Sequence, residues 1–273
     1  MATRTRRRAA SRPKPTRPTG VPDVGSADGD SESEGDGTDR VDKEAIRERV
    51  WDDLEESGEA RFPFPPHGRI PNFAGASEAA ERLAEQPEWT DATTIKANPD
   101  APQLPVRRRA LREGKIVYMA VPRLRDEKCF LKLDPDELAD YDDATTVSGS
   151  SKHGEQVGPD EIDSVDLIVS GSVAITENGE RIGKGEGYSD LEYAVLRELG
   201  LVDESTPVAT TVHERQVIDD AVAIGAHDVA MDLVVTPERT VRPEGSAQPS
   251  GIDWDLLDEE RLEEIPVLDR FAT

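Results

Sequence analysis

The sequence is poor in cysteine, aromatic side chains and long apolar runs, and each shortage excludes a class of protein. The single cysteine, Cys129, excludes a disulfide within the chain and a metal cluster built from several thiolates of one chain. Aromatic residues make up 4% of the chain and hydrophobic residues 35%. No run approaches the roughly 18 apolar residues of a membrane-spanning helix, and the basic N-terminus lacks the apolar stretch of a secretory signal. We therefore expect a cytoplasmic protein that does not insert into a membrane.

Positive charge is also scarce, and lysine is scarcer than arginine. Lysine and arginine together number 33 against 58 aspartates and glutamates, which gives a formal net charge of −25. This excess argues against a general duplex-DNA binder, which needs a broad basic surface. The acidic residues are dispersed along the chain, and a dispersed negative surface repels itself at low salt but is screened at high salt. The composition predicts a halophilic protein, with an ordinary acidic protein as the alternative.

The first 42 residues form two blocks of opposite charge. Basic residues that include Arg4 and Arg17 lie among prolines, and an acidic stretch rich in glycine and serine follows. Neither block has apolar residues at a helical or strand period, so residues 1–42 are predicted to be a disordered tail. Two interpretations stay open, namely weak contact with RNA through the basic block and a solvated tail that folds back on its acidic neighbour.

Residues 43–242 alternate between strand-like and helix-like segments. Asp42 has the chemistry of an N-cap, and Ile46, Val50 and Leu54 follow it at four-residue spacing. Strands are predicted at 93–97, 115–121, 165–169, 172–175, 207–213 and 231–236, and helices at 105–113, at 190–199 and from Ser77 onward. This alternation predicts an α/β domain with a parallel or mixed sheet and helices on both faces. Residues 243–273 form a linker and an acidic C-terminal tail with enough apolar residues to dock on the domain or on a partner.

Three glycines at alternate positions, 183, 185 and 187, lie after a predicted strand and before a predicted helix. Glycine permits positive φ and lets backbone N–H groups approach an anion, and the helix N-terminus adds favourable charge. Arg181 and Lys184 have the charge to neutralise phosphate oxygens, and Asp190 is a hard oxygen ligand suited to Mg²⁺. The segment therefore predicts a phosphate-binding loop, with a flexible turn as the alternative.

The residues around this loop resemble the 5-formyltetrahydrofolate cyclo-ligase family, the methenyltetrahydrofolate synthetases. Gly179-Glu-Arg-Ile-Gly-Lys-Gly-Glu-Gly-Tyr-Ser-Asp190 is similar to the family's Gly-x-Arg-Leu-Gly-x-Gly-x-Gly-Tyr-Tyr-Asp. Gln216 and Asp228 follow in the family's order, and Lys43 and Arg47 match its N-terminal Lys-x-x-x-Arg. The resemblance covers residues 43–242.

The resemblance implies a three-layer α/β sandwich and a reaction. That reaction is the Mg-ATP-dependent conversion of 5-formyltetrahydrofolate to 5,10-methenyltetrahydrofolate with release of ADP and phosphate. The implied partners are ATP and a reduced folate; the oligomeric state stays open. The implied catalytic residues are Arg181, Lys184 and Tyr188. The implied nucleotide-binding residues are Lys43, Arg47, Arg181, Gly183, Lys184, Gly185, Glu186, Gly187 and Tyr188. The implied Mg²⁺ ligands are Asp190 and Asp228.

The chain departs from the family pattern on the substrate side. Ser189 stands where the family has a second tyrosine, and the segment that begins at Ser170 lacks the family's proline and phenylalanine. The glutamate that holds the pterin ring in the family has no clear counterpart here, and Asp100 is a loose candidate for it. These departures keep a second hypothesis open, a non-catalytic cyclo-ligase-like protein that binds a nucleotide or RNA. A third, an enzyme that handles sugar phosphates or coenzyme A on a similar sheet, has no acid–base constellation to support it.

Other polar residues each have a functional and a structural interpretation. For His213 and His227 two interpretations stay open, a contact with substrate and an ordinary surface or core position. Two interpretations also stay open for the arginines of the predicted helix, contact with the folate glutamate tail and a position on a solvated helix face. These arginines are Arg107, Arg108, Arg109 and Arg112. Cys129 is predicted to be a small buried residue rather than a nucleophile, because no histidine lies near it in the sequence.

Salt should stabilise the protein if the dispersed charge is a halophilic adaptation. We expect the melting temperature to rise steeply as KCl increases from tenths molar to several molar, because screening relieves the repulsion within the acidic surface. Differential scanning calorimetry across this range measures the effect. A melting temperature that stays constant would contradict the halophilic interpretation.

Overall fold

The computed structural model describes residues 42–244 and 248–271. The predicted tail, apart from Asp42, and the predicted RNA contact at Arg4 and Arg17 lie outside the described residues. The α-helices of the described part are α1 (Lys43–Glu56), α2 (Ala76–Ala84), α3 (Pro87–Asp91), α4 (Leu104–Arg112), α5 (Tyr141–Ala144), α6 (Val147–His153), α7 (Tyr188–Glu198) and α8 (Glu259–Glu264). Its strands are β1 (Ala60–Arg61), β2 (Asn72–Phe73), β3 (Thr94–Ala97), β4 (Ile116–Ala120), β5 (Phe130–Leu133), β6 (Glu155–Val157), β7 (Leu167–Val169), β8 (Ala174–Thr176), β9 (Arg181–Ile182), β10 (Val208–Thr211), β11 (Val217–Ile218), β12 (Leu233–Val235) and β13 (Thr240–Val241). None of the helices described is both long and apolar enough to cross a bilayer.

An eight-stranded sheet forms the centre of the fold, in the order β13-β12-β10-β7-β3-β4-β5-β6. The five strands from β12 to β4 are parallel, and β13, β5 and β6 pair antiparallel at the two edges. In the middle, Ile95 lies opposite Leu167 on one side and Val117 on the other. The inner strands are short and almost wholly buried because a parallel sheet is covered on both faces. The predicted α/β class with a mostly parallel sheet is confirmed.

The connections place helices on both faces of the sheet. The chain runs from β3 through α4 to β4 in one direction, and from β7 through α7 to β10 in the other. Because such crossovers are right-handed, two that travel in opposite directions cover opposite faces. The alternation of side chains along β3 agrees with this, since Lys96 reaches α7 whereas its neighbours in the strand point to the other face. The three-layer arrangement is thereby confirmed.

Helix α1 begins where the sequence predicts. The Asp42 carboxylate accepts a hydrogen bond from the Glu44 N–H at 3.2 Å, as an N-cap does. Ile46, Val50 and Leu54 are buried and lie in one apolar cluster with residues of β8 and β9. This packing sets α1 beside the small sheet β11-β8-β9, which leads into the glycine-rich loop.

Helix α4 begins at Leu104, one residue before the prediction, and two other helix starts differ because of a glycine. Helix α2 begins at Ala76 after Gly75, whose φ is +86°, so Ser77 is not its cap. Helix α7 begins at Tyr188 rather than at residue 190, because Gly187 has a φ of +71° and occupies the N-cap position. Positive φ is accessible to glycine without steric cost, so the backbone enters the helix earlier than a side-chain cap would indicate.

The described C-terminal residues pack on the domain. Ile252, Ile265, Val267 and Leu268 are buried within the main apolar cluster. Between docking on the domain and docking on a partner, which the sequence left open, the described residues show the former.

A buried ion pair fastens α7 to the central sheet. Lys96 of β3 pairs with Glu192 of α7, and their side chains are 1% and 9% exposed. The Lys96 ammonium also donates to Asn98 Oδ1 at 3.0 Å. A buried charge is tolerated only when it is paired and hydrogen-bonded, so each partner depends on the other.

Breaking this pair should destabilise the protein strongly. We expect Glu192→Gln to lower the free energy of unfolding by about 3–5 kcal/mol, because it leaves the Lys96 charge buried without a counter-charge. Removing both charges, as in Lys96→Met with Glu192→Leu, should cost much less. Urea unfolding measures the free energy of unfolding of both variants. The control is Arg112→Ala, which breaks an exposed ion pair with Asp142 and should lower the free energy of unfolding by less than about 1 kcal/mol. Equal losses in the single and double variants would contradict this account.

Candidate functional site

A cavity of about 500 Å³ opens at the carboxyl ends of the parallel strands. Asn98 follows β3, Val121 follows β4 and Gly171 follows β7, and all three line the cavity. The chain leaves β3 and β7 toward opposite faces, and ligands of α/β proteins bind at such a switch point. The glycine-rich loop between β9 and α7 forms another wall. The fold therefore brings the predicted phosphate loop to the position where this architecture binds ligands.

The loop has the backbone geometry that its glycines predict. Gly185 and Gly187 have φ of +101° and +71°, values that favour glycine over any other residue. A side chain added at Gly185 would approach the Arg47 guanidinium to 3.5 Å. The loop is therefore close to Arg47, and its backbone lies exposed to the cavity instead of behind side chains.

Helix α1 places the two predicted cations beside the loop. Lys43 Nζ donates to Asp228 Oδ2 at 2.7 Å, and Arg47 Nε donates to the Gly183 carbonyl at 2.7 Å. Residues four apart on a helix lie on one face, which is why both side chains reach the same cavity. Lys184, on the loop itself, pairs with Glu186 at 2.7 Å and is partly exposed.

Arg181 and Asp190 form a second ion pair within the cavity wall. Arg181 Nη2 donates to Asp190 Oδ1 at 2.7 Å, and its Nη1 donates to the Gly171 carbonyl at 3.0 Å. Burial acts to raise the pKa of Asp190, but the charge and hydrogen bonds of Arg181 and the Val229 N–H outweigh it, so the pKa lies below its usual value. Asp190 is therefore an anion at neutral pH.

The two carboxylates predicted to bind Mg²⁺ lie close together. Asp190 accepts from the backbone of Val229, the residue after Asp228, and both aspartates line the cavity. Asp190 accepts the hydrogen bonds from Arg181 and the Val229 N–H, both through Oδ1. Asp228 accepts hydrogen bonds from the Lys43 ammonium and the Gly225 N–H, both through Oδ2. Each carboxylate thus keeps one oxygen outside these bonds.

This donor set fits Mg²⁺ bound jointly with a ligand. Within residues 42–244 and 248–271, no group of three or more metal-binding side chains comes together. Mg²⁺ characteristically takes one or two carboxylates from the protein and completes its shell with water and phosphate oxygens. A cation held by Asp190 and Asp228 would therefore depend on the phosphates of the ligand.

Polar side chains from three elements meet in the cavity wall and directly behind it. Ser189 Oγ lies 3.4 Å from Ser170 Oγ and accepts from Asn98 Nδ2, also at 3.4 Å. Asn98 in turn accepts from Lys96, whose partner Glu192 lines the cavity. Sequence reasoning missed Lys96 and Glu192 as site residues. The signal was present, because a lysine within an apolar strand must be paired if that strand is buried.

A less polar cavity of about 380 Å³ adjoins the first one. The two share Pro99, Asp100 and Pro122, and the second is also lined by Met119 and Leu131. Asp100 stands at the junction, and burial raises the pKa of its carboxyl, although the nearby Lys184 and Arg107 act to lower it. The combined space offers a charged end beside the glycine-rich loop and an apolar end beside Asp100.

The position of Arg107 fits neither of the two interpretations that the sequence left open. It is 1% exposed, and its guanidinium donates to the carbonyls of Asn98, Pro99 and Asp100 in the loop after β3. Burial lowers its pKa to about 10. It is neither on a solvated face nor free to bind a folate tail. Instead it shapes the loop that carries Asp100.

The remaining arginines of α4 pair with acids near the surface. The pairs are Arg108 with Asp142, Arg109 with Glu113 and Arg112 with Asp142.

Of the other candidates from the sequence, one lines the cavity and two lie outside it. His227 lines the cavity beside Asp228. His213 lies elsewhere, where its ring Nδ1 accepts from the Arg215 N–H, and burial lowers its pKa. Gln216 is buried and donates to the carbonyls of Ser172 and Val173, so it braces the small sheet.

Cys129 is buried, as the sequence predicted, and burial raises its pKa to about 12. A thiol in that state is protonated at neutral pH and is a poor nucleophile.

The sequence of this chain matches one family model across most of its length. The model of the 5-formyltetrahydrofolate cyclo-ligase family matches residues 39–237, which include every element that forms the cavity. The chain belongs to that family. The resemblance drawn from the glycine-rich loop, Lys43 and Arg47 is thereby confirmed, and the cavity described above is that of a cyclo-ligase-type domain.

Several vertebrate relatives carry the same type of domain. The protein from Mus musculus called methenyltetrahydrofolate synthase domain-containing protein is 44% identical over 234 residues, which cover 84% of this chain and 62% of the relative. The proteins of that name from Bos taurus and Homo sapiens are 43% and 38% identical over 237 residues, covering 84% of this chain and 61% of each relative. The chain thus spans about three fifths of the length of these curated relatives.

Two solved structures align with the cyclo-ligase-type domain at low sequence identity. The 5,10-methenyltetrahydrofolate synthetase of Aquifex aeolicus is 20% identical, with a TM-score of 0.48 over 76% of this chain and 95% of that one. The synthetase of Mycoplasma pneumoniae is 14% identical, with a TM-score of 0.41 over 71% and 98% of the two chains.

The ion pair of Asp190 should make stability depend on acid pH. Because the pKa of Asp190 is lower in the folded state than in the unfolded state, its charge stabilises the fold above about pH 4, and this contribution is lost as the pH falls through the folded-state value. We expect the wild type to be more stable than Asp190→Asn at pH 7 and the difference to vanish in acid. Urea unfolding of both proteins from pH 7 to pH 2 measures it. A difference that stays constant with pH would show that the carboxylate's charge does not matter.

Proposed function

We propose that this protein is an Mg-ATP-dependent cyclo-ligase that converts 5-formyltetrahydrofolate to 5,10-methenyltetrahydrofolate, with ADP and phosphate as the other products. Membership of the cyclo-ligase family supports the type of reaction. The observation that carries the proposal is the convergence of Lys43, Arg47, the glycine-rich loop and two aspartates on one cavity at the switch point of the sheet.

The charged end of the cavity is proposed to hold the nucleotide phosphates. Backbone N–H groups of a glycine-rich loop at a helix N-terminus form a site for anions. Lys43, Arg47 and Lys184 lie around that loop and supply positive charge. Arg181 keeps Asp190 ionised and oriented, so in this proposal its part is to fix a ligand for the cation. Tyr188 lines the cavity at the first position of α7.

The bound Mg-ATP would supply the phosphoryl group that turns the formyl oxygen into a leaving group, and the cation would neutralise charge on the transferred phosphoryl. Asp190 and Asp228 are the residues proposed to hold that cation. No covalent nucleophile from the protein is required, since such chemistry depends on positioning and on charge neutralisation. The protonated thiol of Cys129, buried in the core, agrees with this.

The apolar end of the cavity is proposed to hold the folate ring. Pro99, Pro122 and Met119 offer apolar surface to a flat heterocycle, and Asp100 offers a hydrogen-bonding group at its edge. The raised pKa of Asp100 favours a carboxyl that can exchange a proton with a bound heterocycle. Arg107 positions Asp100 through the loop carbonyls.

A second candidate function is nucleotide binding without folate turnover. It is favoured by the contact that Ser189 of the cavity wall makes with Asn98 and with the buried Ser170, and by the departures from the family pattern at Ser189 and Ser170. The charged end does not depart in this way. Turnover and nucleotide binding must therefore be measured separately.

The proposal predicts that product forms only with all three components present. Absorbance at the band of the methenyl product should rise when 5-formyltetrahydrofolate, ATP and Mg²⁺ are mixed with the protein in molar KCl. Asp190→Asn and Asp228→Asn should lower the rate roughly 10²-fold or more, because asparagine keeps the shape but loses the charge that holds the cation. Asp53→Asn is the matched control, since Asp53 is a partly exposed residue of α1 that pairs with Arg215 and does not line the cavity.

The outcomes separate the candidates. The cyclo-ligase is supported if the wild type forms product and the rate falls in both site variants but not in the control. Calorimetric binding of Mg-ATP without any product supports the second candidate. Turnover in Asp190→Asn with unchanged dependence on Mg²⁺ would contradict the assignment of the cation to this pair of aspartates.

A further inference from the structure

The glycine-rich loop is held at both ends by arginines from distant parts of the chain. At its beginning, Arg47 of α1 donates to the Gly183 carbonyl at 2.7 Å. At its end, Arg261 of α8 donates through Nη2 to the Glu186 carbonyl at 2.6 Å. The guanidinium carbon of Arg261 also lies 5.0 Å from the centre of the Tyr188 ring. One arginine belongs to the region matched by the family model, which ends at residue 237, and the other lies beyond it.

The hydrogen bond of Arg261 to the Glu186 carbonyl and its contact with the Tyr188 ring both depend on orientation. A planar guanidinium can donate at its edge while its face rests on an aromatic ring, and a hydrogen bond from a charged donor is stronger than a neutral one. A side chain added at Gly187 would lie 3.8 Å from Arg261 Nη1, so the guanidinium also adjoins the N-cap of α7. Glu186 and Tyr188 line the cavity, whereas Arg261 is not among the residues that line it. Its influence on the cavity therefore passes through these two neighbours.

The segment that carries Arg261 is anchored independently of it. Ile265, Val267 and Leu268 are buried in the core, and Arg270 pairs with Asp160 at 2.6 Å. Asp258 caps α8 and accepts from the Arg261 backbone N–H at 2.8 Å, so the start of the helix is fixed as well. The backbone beneath Arg261 is thus held by contacts that do not use its guanidinium.

We propose that Arg261 is a positioning residue for the glycine-rich loop, and that the C-terminal segment thereby completes the phosphate-binding wall of the cavity. The inference rests on the proposed function in taking the loop to bind nucleotide phosphates. Two residues of the loop, Gly185 and Gly187, have positive φ and gain freedom easily when released. A loop held at both ends presents its N–H groups without first having to be ordered, which favours ligand binding.

Two kinds of measurement test this in three variants, Arg261→Ala, Arg261→Lys and Arg270→Ala. Hydrogen exchange of the ligand-free protein reports the order of residues 183–188 and, separately, of residues 252–271. Titration calorimetry reports the affinity for Mg-ATP. Arg270→Ala is the matched control, because it removes an arginine ion pair from the same segment without a contact to the loop.

In Arg261→Ala we expect loop amides to exchange about tenfold faster and Mg-ATP to bind about tenfold more weakly, the size of effect expected from one charge-assisted hydrogen bond. Exchange in residues 252–271 should stay as in the wild type. Arg261→Lys should recover part of both effects, since lysine keeps the charge but not the planar fork. Arg270→Ala should leave the loop unchanged.

The contrary outcomes are also distinct. Wild-type exchange of the loop in Arg261→Ala would overturn the proposal, and so would faster exchange confined to residues 252–271, which would make Arg261 an anchor of its own segment. If the wild type binds no Mg-ATP, the proposed function fails, while the exchange measurement still decides whether Arg261 positions the loop.

Discussion

The position of the cavity follows from one constraint, that the chain leaves two neighbouring parallel strands, β3 and β7, toward opposite faces of the sheet. Because right-handed crossovers then place α4 and α7 on opposite faces, a crevice opens between them at the carboxyl ends of these strands. The loop that carries Asp100 and the loop that begins at Ser170 frame the opening. Lys96 and Glu192, paired beneath it, hold α7 against the sheet, so the same ion pair supports the fold and the wall of the cavity.

Around this opening, each carboxylate proposed to bind the cation is paired with a basic side chain of the site. Lys43 pairs with Asp228, and Arg181 with Asp190. Each pair satisfies charges that would otherwise be partly buried without a counter-ion. In the proposed function, a ligand that carries both signs, such as Mg²⁺ with a polyphosphate, would take over Lys43 and Asp228 at once, whereas Arg181 would stay on Asp190 and orient it. We therefore expect the charges of Lys43 and Asp228 to change partners on binding rather than to be newly exposed or newly buried.

Local patterns in the sequence predicted the elements that depend on local chemistry. The apolar stripe after Asp42, the apolar strands and the glycine-rich loop all appear where the residues indicate. Features that depend on distant contacts were missed. Arg107 is one of three consecutive arginines and is typical of a surface helix, yet it is buried because the loop after β3 turns three carbonyls toward it. Nothing near Arg261 in the sequence indicates that it meets Glu186, because only the packing of the C-terminal segment brings the two together.

Two of the departures from the family pattern meet at one contact. Ser189 and Ser170 replace a tyrosine and a proline of that pattern, and their hydroxyls lie 3.4 Å apart with Asn98 bonded to one of them. A tyrosine and a proline of the pattern thus have small polar counterparts at a single contact, whereas the counterpart of its phenylalanine, Ala174, lies in β8. At the charged end Gly185 and Asp190 match the family pattern, although Ser189 directly precedes Asp190 in the chain. The Arg181 guanidinium holds the Asp190 carboxylate independently of Ser189, so the departures at this contact are compatible with the proposed nucleotide binding.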